Sequence, residues 1–66
     1  MKDSLIKKYN RKLKRVVEQR KFYNSSAEHN ASAGRDTVAR ELKVKAEYYE
    51  RKEKLLIEFI NDLKSL

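Results

Sequence analysis

Sixty-six residues confine the chain to one small domain, of a size that buries only about 60% of its unfolded surface. There is no cysteine, so neither a disulfide nor a thiolate metal site reinforces it, and association between copies is the expected remedy. With 41% of residues charged and a net charge of +7, the composition argues against a membrane span and points to an anionic partner.

The pattern predicts an all-α fold. One domain, residues 1–66, forms an antiparallel, coiled-coil-like helical hairpin, with a helix over about 3–31, a turn over about 32–35 and a helix over about 36–65. Two copies are expected to combine into a four-helix bundle.

The first segment starts at Asp3 or Ser4, either of which suits an N-cap. At about 100° per residue, Leu5, Ile6, Tyr9, Leu13, Val16, Val17, Tyr23, Ala27 and Ala31 share one apolar arc. Ser25 and Glu28 have the spacing of a capping box, so the helix either continues to about 31 or breaks at 24–26.

The opposite side is cationic. Lys7, Lys8, Arg11, Lys12, Lys14 and Arg15 place six positive charges in nine residues. They lie toward the N-terminal end, where the helix dipole gives cations no help, and only Asp3 and Glu18 stand four residues from any of them. A helix that merely needs solubility intersperses acids, so this face is expected to contact an anion, with Lys21 and Phe22 at its margin. Phe22 falls on the polar side, as a contact between copies, a ring that stacks on a partner, or an idle exposed side chain. Arg20 points into the apolar arc, where it either snorkels or pairs with Glu47 or Glu50 of the returning helix.

Residues 24–34 are small, polar and almost uncharged, and end in the only glycine. Gly34 suits the left-handed position after a helix end, so the chain is expected to double back here. Asp36 or Thr37 then caps the second helix. Glu41–Lys45, Glu47–Arg51 and Glu50–Lys54 stand at i,i+4 in the favourable order, which lets this segment neutralise itself. Charge divides accordingly: a net of +6 over residues 1–33 and +1 over 34–66.

The second helix carries two apolar stripes. One is Val38, Leu42, Tyr49, Leu56, Ile60 and Leu63. The other, further round the wheel, is Val44, Tyr48, Leu55, Phe59 and Leu66, with Lys45 and Lys52 between them. A hairpin covers one stripe; the second is expected to meet a second copy. Tyr9, Tyr23, Tyr49 and Phe59 stand at core spacing and are expected to pack.

No constellation for catalysis is visible. His29 is the only histidine, and a single glycine rules out a phosphate loop. No enzyme activity, cofactor, metal or small-molecule substrate is therefore expected. There is no signal-like apolar region and the longest apolar run is Leu55-Leu56-Ile57, so a cytoplasmic location is expected and a membrane role is not. Two functional readings remain. In one, a small basic homodimer binds nucleic acid, RNA or DNA, through the cationic face of the first helix. In the other, the chain is a protein-interaction module, such as a phage- or mobile-element-type regulator or inhibitor, docking on an acidic surface of a larger protein.

Overall fold

The computed structural model describes all 66 residues. They form two helices, α1 (Lys2–Ser32) and α2 (Asp36–Ser65), folded back on each other as an all-α hairpin. The molecule measures 49 × 14 × 11 Å. A helix of about thirty residues is about 45 Å long, so the hairpin is a single layer two helices wide.

The seam follows from a strict alternation of three- and four-residue steps. At those steps α1 places Ile6, Tyr9, Leu13, Val16, Arg20, Tyr23, Ala27 and Asn30, all partly or fully buried, with Val17, Asn24 and Ser26 partly buried beside that line; α2 places Ala39, Leu42, Ala46, Tyr49, Glu53, Leu56, Ile60 and Leu63. That spacing averages 3.5 residues, the repeat that keeps a stripe facing a partner helix when the two supercoil left-handedly. Five of these side chains are buried: Val16, Ala27, Ala39, Ala46 and Ile60. The seam is graded, with alanines toward the turn and branched aliphatics toward the open end.

Register is set at mid-length. The Arg20 Nε donates to Glu53 Oε2 at 2.6 Å, with the two side chains only 26% and 20% exposed. One layer nearer the turn, Tyr23 stacks on Tyr49, centroids 5.5 Å apart and planes 5° from parallel. A charged pair in an apolar seam adds little net stability, because desolvation offsets the attraction. It penalises any shift that separates the partners. The partner of Arg20 is Glu53, not Glu47 or Glu50. Those two lie off the seam, exposed to solvent, whereas Glu53 occupies a seam position.

The turn, residues 33–35, closes with two hydrogen bonds. The Gly34 N–H donates to the Ala31 carbonyl (3.1 Å) and the Arg35 N–H to the Asn30 carbonyl (2.8 Å). This is the Schellman arrangement, which needs a left-handed residue after the helix end; Gly34 supplies it at φ +78°. Asn30 holds both sides of the corner. Its Nδ2 donates to the Ser26 carbonyl and its Oδ1 accepts from Arg35 Nη1.

Several local expectations change. α1 runs through 24–26 without a break, because Ala27 continues the seam and the backbone ladder persists across the polar residues. Neither helix has a side-chain N-cap: Met1 and Arg35 occupy those positions, with Asp3 and Asp36 in the first turns. Val38 is exposed, and Ala39 takes the seam position in its place. Of the three surface pairs in α2, only Glu50–Lys54 closes, at 3.8 Å. Lys45 lies instead over the Tyr23 ring, 5.5 Å from its centroid. At the open end, Lys2 Nζ donates to the Lys64 and Leu66 carbonyls, placing a cation at the negative end of α2.

Candidate nucleic-acid interface

α1 buries its seam residues against α2, so side chains half a turn away point outward. Lys8, Arg11 and Arg15 occupy that outward ridge, with Lys7 and Lys14 toward one flank and Lys12 toward the other. All six are exposed. None of them has a carboxylate within 4.0 Å: the molecule contains just two ion pairs, Arg20–Glu53 and Glu50–Lys54. The acids opposite this half of α1 are thus committed elsewhere or, like Glu58 and Asp62, exposed and unbonded to it.

The flank holding Lys12 is aromatic. Lys8 and Lys12 place their ammonium groups 5.8 and 5.0 Å from the Tyr9 centroid, and Phe59 meets the same ring edge-on at 4.7 Å. Lys12 and Arg15 share a groove with Tyr9, Val16, Gln19, Leu56 and Lys52. Lys52 therefore adds an α2 cation to the α1 set, and it also lies over Tyr48 at 5.9 Å. Lys21 is exposed on the other flank.

Phe22 is 63% exposed. It continues the outward ridge two turns beyond Arg15 and touches Tyr23 edge-on at 5.3 Å. From there ring contacts pass through Tyr49 to Tyr48, so all four tyrosines and both phenylalanines are engaged with another ring. Tyr9, Tyr23 and Tyr49 are half-buried; Phe59 packs on Tyr9 yet stays largely exposed.

The hairpin leaves the second α2 stripe exposed, with Phe59 meeting a ring of α1 at one side. Val44, Tyr48, Leu55, Phe59 and Leu66 are all exposed, Leu55 to 66%. The largest groove, about 430 Å³, lies near the turn and is floored by Ala27, Ala31 and Ala39. Its rim alternates Glu28 and Asp36 with Arg40 and Lys43, so its charges cancel and it offers no preference for an anion.

Three features escaped the sequence pattern: Lys52 beside the α1 cations, the pairing of Arg20 with Glu53, and the continuity of the aromatic chain. The three–four alternation would have revealed the first two, because it places Arg20 and Glu53 on the seam and Lys52 on its shoulder. No group of three His, Cys, Asp or Glu residues is arranged to hold a metal ion. No helix is long and apolar enough to cross a membrane. No family model, curated protein or solved structure matches the chain.

Proposed function

We propose that the protein is a small basic homodimer that binds nucleic acid, RNA or DNA, through the outward face of α1. The observation that carries this reading is the set Lys7, Lys8, Arg11, Lys12, Lys14 and Arg15: six exposed cations without a single ion-pair partner. Holding like charges together costs stability unless a partner relieves it. A polyanion does so and releases condensed counterions as it binds. Phosphate contacts of this kind carry little sequence information, so binding is strong at low salt and weakly selective.

Dimerisation rests on the second stripe. Val44, Tyr48, Leu55, Phe59 and Leu66 form an apolar surface along α2 that the hairpin leaves open. Packing it on its own copy makes a two-fold four-helix arrangement and leaves the outward ridge of each α1 free. The same stripe favours the second reading, in which an acidic protein takes both the cations and the apolar anchors.

Titration of labelled oligonucleotides at about 50 mM salt separates the two. Micromolar or tighter binding is expected, and its absence for RNA and DNA alike would transfer the case to the protein partner. Light scattering tests the dimer: a mass of two chains supports it, and a strict monomer with a cooperative melt removes the role given to the stripe.

A further inference from the structure

We infer that the outward ridge of α1 is built for single-stranded nucleic acid, with Phe22 as the platform for an unstacked base. This rests on the nucleic-acid reading above and narrows it to one substrate class.

Lys8, Arg11, Arg15 and Phe22 follow one another at three-, four- and seven-residue steps on the side of α1 turned away from α2. From Lys8 to Phe22 the ridge extends about 21 Å. Its first half is purely cationic. Its second half changes character: Arg15, Glu18, Gln19, Phe22 and Tyr23 line a shallow groove of about 380 Å³, and the Phe22 ring is its exposed aromatic wall.

Glu18 and Gln19 have chemistry suited to a base, and Arg15 serves base and phosphate alike. The Glu18 carboxylate has no ion-pair partner; it repels a phosphate and accepts a hydrogen bond from an exocyclic amine. The Gln19 amide both donates and accepts, so it can meet a base edge of either polarity. The Arg15 guanidinium joins the two halves, reaching a phosphate on one side and the groove on the other. Cationic tracks that end at exposed rings are how single strands are held without strict sequence preference, the rings taking base faces. A duplex keeps its bases stacked and offers Phe22 nothing but phosphates and grooves.

An exposed Phe22 gains nothing from folding alone beyond its edge contact with Tyr23, and the rest of the ridge is charged or polar. A partner helix seated there would have to bury Lys8, Arg11, Arg15 and Glu18 around one ring, which makes a protein the weaker occupant.

The protein has no tryptophan, so Phe22→Trp introduces a single indole at the platform, excitable at wavelengths where the four tyrosines do not absorb. Oligocytidylate and oligodeoxycytidylate, whose bases carry an exocyclic amine, are titrated into this variant, with a hairpin-free duplex of equal phosphate number as the comparison. The expected result is strong quenching by the single strands and little by the duplex. Phe22→Ala is expected to weaken single-strand binding roughly ten- to a hundredfold while leaving the salt dependence unchanged, because no phosphate contact is removed. Circular dichroism checks that the variant remains folded. Equal binding of duplex and single strand with no quenching, or an unaltered Phe22→Ala affinity, overturns the inference and leaves nucleic-acid binding standing. Loss of all binding by the wild-type chain overturns both. The ribo- and deoxyribo-oligomers differ at the 2′-hydroxyl alone, so a preference between them identifies RNA or DNA as the ligand.

Discussion

α1 and α2 are 31 and 30 residues long and contribute the same number of side chains to one seam, yet they treat everything off the seam differently. α1 turns a ridge of unpaired cations outward and keeps little apolar surface free beyond Phe22 and Leu5. α2 alternates acids with bases, closes Glu50–Lys54 at 3.8 Å, and leaves a line of uncovered apolar residues. The seam is common property and says nothing about function. What distinguishes the helices is surface that folding does not use, and the proposed function gives each kind its own partner: the charge a polyanion, the apolar line another helical face.

The comparison is broken most severely on the α2 side. Leu55→Glu with Phe59→Glu removes two apolar side chains of the proposed contact between copies, each worth about 1.5–3 kcal/mol when fully buried, and would set like charges against each other across it. Association is expected to fall more than a hundredfold by light scattering, with the hairpin still helical. On the α1 side, changing Lys8, Arg11, Lys12 and Arg15 together to glutamine is expected to cost about a hundredfold or more in oligonucleotide affinity. The melting temperature should hold or rise slightly as repulsion is relieved.

A smaller effect tests the boundary between the two helices. Arg20→Ala and Glu53→Ala each strand a half-buried charge, at about 1–3 kcal/mol in denaturant melts. Glu53→Ala is expected to be the worse, because the cation it strands stands on the already basic helix. Replacing both by leucine should be neutral or stabilising, while loosening register, measurable by disulfide trapping between cysteines placed across the seam. At the turn, Gly34→Ala meets no atom within 4 Å, so its cost is backbone strain at φ +78° alone, about 1–2 kcal/mol. Gly34→Asn should recover part of it.

The hairpin was legible because the apolar residues of both halves repeat at helical spacing and the sole glycine falls between them. The outward placement of Lys8, Arg11 and Arg15 was legible for the same reason, since opposite faces of one helix follow from one period. Val38 shows where straight-line reading fails. A 3.5-residue seam drifts about 20° per heptad against an ideal helix, so a stripe drawn straight along α2 from Leu56 and Leu63 arrives at Val38, while the three–four alternation arrives at Ala39, which is buried. Arg20 was legible on the apolar arc, but counting only apolar residues hid Asn30 and Glu53, whose polarity disguised their seam positions. The error over the partner of Arg20 came from the same source, because antiparallel register depends on a turn whose residues had no apolar marker. Lys45 stands at i,i+4 from Glu41 yet closes no ion pair with it, and its ammonium lies over the Tyr23 ring across the seam, which helical spacing alone does not reveal. Continuity of α1 through residues 24–26 follows the apolar arc to the buried Ala27, against the capping-box spacing of Ser25 and Glu28 that offered a break there.

The division between the helices rests on one property, that the α1 cations are free for an external polyanion. Its most direct test is the slope of log affinity against log salt for a single-stranded oligonucleotide. Six phosphate contacts predict a slope of about −4, reduced to between about −1 and −2 in the four-glutamine variant. A shallow slope in the wild-type chain, or one that the four substitutions leave unchanged, would contradict the account.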